Sequence, residues 1–400
     1  MKTLVELYVN EQFDDLAAFL SFRPETVLFL TPGTVPSRSA REGIVRFVQS
    51  IDPSAKAGFI EAGNRSPDAI LTRLENVFEE YPDCAVDLTG GSTTLLLAFS
   101  RFVEKKKVKA FYFDSLKNGF RSVRGMEKEI ERAGLPSIDI ETLFRMGGAA
   151  VTGTAHTTGP YRENAETVKA LLDVYSEHID RWNAFSEYLQ FAVRSCYDAR
   201  TQRFLAPSAV SNRGNLYLAN RSILKKLNDC GAISDLETEG ETVGFLFRNS
   251  YIKEILTTVG MCLELYIYVS ALESGLFDSV AMSVVFDWDG VINGRMNDTT
   301  NELDVLMTKG ISSLFVSCKA ARPDTRDLYE ISYLAKRFGG RNARAVLATA
   351  ADLSSDSWPN YMRARDMGVT VIEKSDIRMG RERVIKLLLD PEWYPERPHK

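Results

Sequence analysis

The sequence is short of the residues that carry most metal and nucleophile chemistry. Histidine occurs at three of 400 positions, His156, His178 and His399, which argues against a histidine-rich metal centre and against a Ser-His-Asp triad. The five cysteines, Cys84, Cys196, Cys230, Cys262 and Cys318, are scattered, odd in number and without a C-x-x-C pair. Neither a disulfide framework nor a structural zinc site is expected from them. No uncharged apolar run reaches the roughly 18 residues that a membrane-spanning helix requires. The opening stretch MKTLVELYVNEQFDD turns acidic before any long apolar segment forms, so no signal peptide is expected. A cytoplasmic location is the expectation. Positive charge is also lacking: 49 Lys and Arg against 54 Asp and Glu give a net charge of −5. The strongly basic footprint of tight, passive nucleic-acid binding is therefore missing. A protein of this composition that acts on nucleic acid needs a local patch, or an affinity that is switched on.

What is present reads as a globular chain of two domains, or three, with 44% hydrophobic and 26% charged residues. Residues 1–150 alternate strands with helices. Strands are predicted at Thr3–Val9, Thr26–Thr31, Gly58–Glu61, Cys84–Leu88 and Val108–Phe113; helices at Phe13–Phe22, Ala40–Ile51, Pro67–Tyr81 and Thr94–Glu104. This βαβα order predicts a mostly parallel, Rossmann-like sheet whose ligands bind beyond the carboxyl ends of the strands. Gly147–Tyr161, small and Gly/Thr-rich, is expected to be a linker. Residues 151–245 form the expected linker and helical connector, winged-helix-like, with a helical apolar pattern over Thr167–Cys196. From 246 to 400 the pattern becomes mixed α/β. A long apolar helix, Ser250–Ala271, leads into strands Val280–Asp287, Glu302–Met307 and Ser312–Cys318. The last two are read as an antiparallel hairpin turning at Met307–Gly310. Helix Thr325–Phe338, strand Ala345–Ala348, helix Trp358–Asp366, strand Val369–Glu373 and helix Gly380–Leu389 follow.

The hairpin carries the first chemical signal. Side chains alternate across a strand, so Glu302 and Asp304 share one face while Leu303 and Val305 share the other. Two neighbouring carboxylates repel each other and are best held with a cation between them. Thirteen residues on, Ser317 and Lys319 share a face that the hairpin can bring beside those acids. Acidic oxygens suit Mg²⁺ or Mn²⁺, and an added ammonium suits metal-assisted phosphodiester hydrolysis. Glu264 lies inside the apolar run Gly260–Tyr266, where a carboxylate is costly unless paired or metal-bound. The plainer readings are a solvated acid-x-acid strand and a buried salt bridge at Glu264. Asp287 and Asp289 read as a turn. Arg295, Lys309, Arg322 and Arg326 lie near the site in sequence, and Trp358, Tyr361 and Arg363 are read as core packing ahead of base stacking.

A second signal is Thr89-Gly90-Gly91-Ser92-Thr93, which follows a strand and opens a helix. Glycines let the backbone approach a phosphate, and the free N–H groups of a helix start favour an anion. Asn10-Glu11-Gln12, Thr31-Pro32-Gly33 and Asp114 end neighbouring strands and would gather on the same sheet edge. An ordinary tight turn is the competing reading.

Glu264, Asp304 and Lys319 resemble the signature of the PD-(D/E)xK nuclease superfamily, a helical Glu, a strand Asp and a (D/E)-x-K strand. Ser317 stands where that pattern has an acid. The strand–Asn-Glu-Gln–helix start and the TGGST loop resemble a CARF domain, the cyclic-oligoadenylate sensor of type III CRISPR systems; Ser92-Thr93 stands where that family often has Thr-Lys. The resemblance implies an N-terminal CARF domain (1–150) and a C-terminal restriction-endonuclease-like domain (246–400). It implies a homodimer activated by cyclic tetra-adenylate that cleaves single-stranded DNA or RNA, or nicks duplex DNA. Glu264, Glu302, Asp304 and Lys319 would be catalytic, and Glu264, Glu302, Asp304 and Cys318 would hold Mn²⁺ or Mg²⁺. The alternative is a cyclic-oligoadenylate-binding regulator with a degenerate nuclease domain, which Ser317 favours.

Overall fold

The computed structural model describes residues 1–8, 13–31, 33, 36–62, 66–114, 119–156, 158–238, 240–293 and 299–389. Its first part alternates strand and helix: β1 (Thr3–Leu7), α1 (Phe13–Phe22), β2 (Thr26–Thr31), α2 (Arg38–Ile51), β3 (Lys56–Glu61), α3 (Pro67–Glu80), β4 (Cys84–Asp87), α4 (Thr93–Lys106), β5 (Lys109–Asp114) and β6 (Gly119–Arg124). The sheet order is β3-β2-β1-β4-β5-β6, parallel except for β6. All five residues of β1 are buried, as expected of a strand covered by helices on both faces. Helices α2 and α3 start where Ser37 and Ser66 accept backbone N–H groups, and Pro67 fits the first turn of α3. The order reverses between β1 and β4, and open sheets of this kind generally bind ligands in the crevice beyond the carboxyl ends at such a point.

Helices α5 (Glu127–Ala133) and α6 (Ile140–Met146) lead to β7 (Ala150–His156). The expected linker is thus in part a strand. Its Val and Thr residues suit an extended backbone, and it pairs antiparallel with β14 at a sheet edge. The connector continues with α7 (Thr158–Glu163), α8 (Ala165–Glu177), α9 (Ile179–Cys196), β8 (Tyr197–Asp198), β9 (Arg203–Pro207), β10 (Ala209–Asn212), β11 (Asn215–Leu218), α10 (Arg221–Asp229), β12 (Ile233–Glu237) and β13 (Thr242–Phe247). The helical pattern expected over Thr167–Cys196 is carried by two helices that meet at His178.

The remainder comprises α11 (Ser250–Thr257), α12 (Met261–Ser274), β14 (Ser279–Asp287), β15 (Thr300–Lys309), β16 (Ser312–Lys319), α13 (Thr325–Gly339), β17 (Ala343–Thr349), α14 (Leu353–Asp356), α15 (Trp358–Asp366), β18 (Thr370–Ile372), α16 (Lys374–Arg378) and α17 (Arg381–Leu389). The expected continuous helix Ser250–Ala271 bends by 116° between α11 and α12. Gly260, at φ +94°, turns the chain there through a conformation that other residues rarely adopt. No single helix among the described residues is long and apolar enough to cross a membrane. The bent pair passes on length and composition, but its apolar residues belong to the protein core.

The C-terminal sheet runs β18-β17-β16-β15-β14-β7, parallel from β18 to β16 and antiparallel beyond. One face packs on α12 and the connector helices around Tyr175, Tyr266, Val305 and Val316. The other packs on α6 and α13, where Phe144 stacks on Phe286 at 4.4 Å. Gly310 and Ile311 form the hairpin turn between β15 and β16. Gly310 donates its N–H to Asp278 (2.6 Å), so the turn lies later than expected.

Candidate active site

The site sits where two strands part. β15 and β16 pair from Lys309↔Ser312 to Val305↔Val316 and no further. β16 stays paired with β17 as far as Lys319↔Thr349. Asp304 occupies the first position of β15 beyond the ladder. Its carboxylate accepts the Cys318 N–H at 2.6 Å and lies 3.5 Å from the Ser317 hydroxyl. A side-chain oxygen thus replaces a ladder carbonyl, satisfying the amide while holding the carboxylate in the fork. On the other side of β15, the register with β14 sets Ser283 opposite Asp304, and Ser283 has φ +51°. A kink in one neighbour and a departure in the other meet at Asp304. In line with this, Leu303 packs into one core and Val305 into the other.

Glu264 approaches from the first turn of α12. Burial, then the nearby charges of Asp304 and Glu302, push its carboxyl up to about 8, against the pull of Lys319. Burial also raises Asp304. The Cys318 N–H and Lys319 oppose that shift, and exposed Glu302 adds to it. Lys319 would be lowered by burial, but Asp327, 3.2 Å from its ammonium, with Asp304 and Glu330, holds it above its ordinary value. Glu264, Glu302, Asp304 and Lys319 are therefore within electrostatic reach of one another. The Cys318 thiol is different: burial, with Asp304 and Glu264 nearby, holds it protonated, so what it contributes to the fork is its backbone N–H.

Crowded carboxylates of raised pKa are the donor type and charge that suit a hard divalent cation. Among the described residues, however, no three His, Cys, Asp or Glu side chains converge closely enough to enclose a metal ion. The donors fit such a cation by chemistry.

Sequence reasoning passed over Asp327 and Gly260. Asp327 is the third residue of α13, and its carboxylate accepts the Asp324 N–H at 2.7 Å in a capping box. Asp-x-x-Asp just after the Lys319 loop was the available signal. Asn183 of α9 donates to the Ala320 carbonyl, tying the connector to the end of the active strand. Of the cations that lie near the site in sequence, Lys309 ends β15 at the turn, away from the fork, because five strand residues span about 17 Å. Arg322 and Arg326 lie in the loop and first turn beyond Lys319. Arg295 lies outside the described residues. Asp287 and Asp289 form a turn, as expected: Asp287 accepts the Asp289 N–H and Asp289 that of Val291. Trp358 is not core; it is 50% exposed.

The second site lies at the carboxyl ends of β1, β2, β4 and β5. Asn10, Glu11, Gln12 and Pro32 fall outside the described residues. Gly33 has φ +82°, and Thr31 is buried at the end of β2. Asp87 accepts both the N–H and the hydroxyl of Thr89, and Thr89 Oγ1 accepts the Phe113 N–H (2.8 Å). Ser92 caps α4 through Leu95 N–H (3.3 Å). Both hydroxyls thus hold the loop in shape. Gly90 is buried. Gly91, at φ +95°, tolerates no side chain: a Cβ would lie 2.8 Å from that of Leu7. Asp114 ends β5 and pairs with Arg121 at 3.8 Å. A cleft of about 490 Å³ between this edge and the C-terminal part is lined by Tyr8, Ser37, Arg46, Trp288, Lys336 and Arg337. Arg341, beyond α13, donates to the Thr89 carbonyl at 3.4 Å, linking the two parts directly.

A Rossmann-like sheet with a glycine loop at its strand switch is thus coupled to a mixed sheet with acids and a lysine at a strand fork. Residues 253–388 match the family model described as Card1-like, endonuclease domain. The whole fold is similar to that of protein VC1899 from Vibrio cholerae (TM-score 0.71, 14% identity, covering 96% of this chain and 97% of that one). It is also similar to Can2 from Sulfobacillus thermosulfidooxidans, solved in complex with cyclic tetra-adenylate (TM-score 0.65, 15% identity, 97% and 99% covered). No curated protein matches the chain.

Proposed function

We propose that this protein is a divalent-metal-dependent endonuclease of type III CRISPR defence, activated by cyclic tetra-adenylate. Its substrate would be single-stranded DNA or RNA, with nicking of duplex DNA as a further activity. The observation that carries the reading is the grouping of Glu264, Glu302, Asp304 and Lys319 around one strand fork within a Card1-like endonuclease domain. Glu264, Asp304 and Glu302 would hold Mn²⁺ or Mg²⁺, which supplies Lewis acidity and an activated water. Lys319 brings a positive charge toward the scissile phosphate. The Cys318 N–H fixes the Asp304 carboxylate, so this acid meets its partner without reorganising.

The sensor reading rests on position. The Thr89–Thr93 loop and the Gly33 turn lie at the strand switch, and a cation-lined cleft opens beside them. A homodimer would give a two-fold site matched to a cyclic tetranucleotide. Can2, of similar fold, binds that molecule. Arg341 reaching Thr89 gives ligand binding a route to the nuclease part.

Ser317, hydrogen-bonding distance from Asp304 where the nuclease pattern has an acid, supports a second reading: a ligand-binding regulator whose nuclease domain is degenerate. One assay separates them. Labelled single-stranded DNA, RNA and supercoiled plasmid are incubated with Mn²⁺ or Mg²⁺, with and without cyclic tetra-adenylate. Ligand-dependent cutting, abolished in Asp304→Ala and Lys319→Ala, is expected. Loss of cutting in every condition supports the regulator, and normal cutting by Asp304→Ala refutes the site.

A further inference from the structure

An aromatic ring stands open at the start of α15, whose first turn is tied to that of α13. Trp358 opens α15, is 50% exposed, and stacks on Tyr361 with ring centroids 5.6 Å apart and planes 24° from parallel. Tyr361 in turn packs against the core beneath α13 and β18. One face of the indole is therefore backed by a ring anchored in the core, and its exposure leaves the outer face to solvent. Burying a large apolar ring is worth far more than leaving half of it wet, so a stacked, outward-facing tryptophan is a ready contact for a flat partner.

Its location is fixed relative to Lys319 by three connections. Lys319 pairs in register with Thr349, nine residues before Trp358. The Thr349 hydroxyl donates to the Ala321 carbonyl, joining the loops that leave β16 and β17. At the start of α13, Thr325 meets Asn360 at 3.3 Å, and Arg363 donates to both (2.7 and 3.1 Å). The first turns of α13 and α15 are thereby tied together, and α13 holds Lys319 through Asp327. The same rim carries exposed Arg322 and Arg326. Arg326 offsets Asp324, leaving Arg322 as the positive excess.

We propose that Trp358 is a base-stacking platform for a single-stranded nucleic acid, holding one unpaired base beside the scissile position while Arg322 meets the backbone. This rests on the nuclease reading and assigns the residue by which that site would favour single strands over duplex. Every base presents a flat face, so the platform is indifferent to sequence and to the sugar, whereas a base inside a duplex has no free face. The occupant is a strand and not a protein, since the helix start that carries the ring is tied to the helix that holds Lys319, beyond a loop bearing exposed Arg322.

The test measures binding of labelled oligothymidylate, oligouridylate and a DNA duplex to the full chain carrying Asp304→Asn to block cutting, with Mn²⁺ and cyclic tetra-adenylate. Adding Trp358→Leu is expected to weaken both single strands about tenfold and leave the duplex unchanged. Trp358→Phe, which keeps a ring and the packing on Tyr361, is expected to stay within about threefold of the parent. In the cutting protein, Trp358→Leu should raise KM for single strands at unchanged kcat. Equal binding by parent and Trp358→Leu, or equal losses for strand and duplex, overturns the proposal. If the native protein cuts nothing, the nuclease reading falls, and the binding comparison still decides the role of Trp358.

Discussion

The ammonium of Lys319 lies 3.2 Å from the carboxylate of Asp327, which also accepts the Asp324 N–H at the start of α13. One carboxylate therefore caps a helix and holds the lysine of the fork. The two duties can be separated. Asp324→Ala weakens the same cap from the other side, because Asp324 accepts the Arg326 and Asp327 N–H groups. Both Asp324→Ala and Asp327→Asn should cost about 1 kcal/mol of stability. Only Asp327→Asn should lower kcat for cleavage, by about 10- to 100-fold at unchanged KM, because it alone frees Lys319. Asp327→Glu should restore part of the rate. Equal rate losses in Asp324→Ala and Asp327→Asn would assign Asp327 to the helix alone.

Glu264 supplies a stability prediction of known sign. Its carboxyl is raised from 4.5 to about 8, chiefly by burial and then by Asp304 and Glu302. The folded protein thus binds this proton more tightly than the unfolded chain. Ionising Glu264 costs stability, starting as pH rises past the unfolded value and growing until about 8. In metal-free buffer, Glu264→Gln should raise Tm by a few degrees at pH 8, with the gain shrinking toward zero at pH 5, while cleavage is lost. An unchanged or lower Tm at pH 8 would mean that the carboxylate is stabilised where it stands.

Much of this was legible from residue order. Apolar patterning placed β1 to β5 and the β15–β16 hairpin within a residue or two; β1, β2 and β4 are largely buried, whereas β3 is at the sheet edge and only half-buried. The spacing of Asp304, Ser317 and Lys319 was enough to bring them together. Other features depend on tertiary terms. β7 is a weak sequence that becomes a strand because β14 offers it an edge. The bend before α12 needed Gly260 to be read as a left-handed residue and not as a tolerated helical glycine. Simple alternation also failed at Asp304, where β15 leaves its partner and sends Leu303 and Val305 into different cores. Trp358 was read as core because its apolar character says nothing of which side of α15 faces the sheet.

The Arg341–Thr89 contact predicts how the two parts communicate. The 15 residues of α13 span about 22 Å, with Asp327 at one end and Arg341 just beyond the other. A ligand that displaces the Thr89 carbonyl would pull on the far end of the helix that holds Lys319. Arg341→Ala should bind cyclic tetra-adenylate within about threefold of the parent, since it leaves the loop interior intact, yet lose most of the ligand-driven rise in cleavage. Calorimetry and a cleavage titration on the same preparation check both halves. Full stimulation in Arg341→Ala would show that the signal passes elsewhere.

Gly91 tests the sensor loop by itself. Its φ of +95° and the 2.8 Å separation that a Cβ would have from Leu7 Cβ act together, so Gly91→Ala is strained in backbone and in packing. A cost of about 1–3 kcal/mol is expected, confined to the loop between β4 and α4. The fork at Asp304 lies in another sheet and should keep its geometry. Cleavage at saturating ligand should therefore approach that of the parent, while the cyclic tetra-adenylate concentration for half-activation rises about tenfold or more. A variant that needs no more ligand than the parent would show that this loop does not touch the activator, and would leave the cleft lined by Arg46 and Arg337 to hold it.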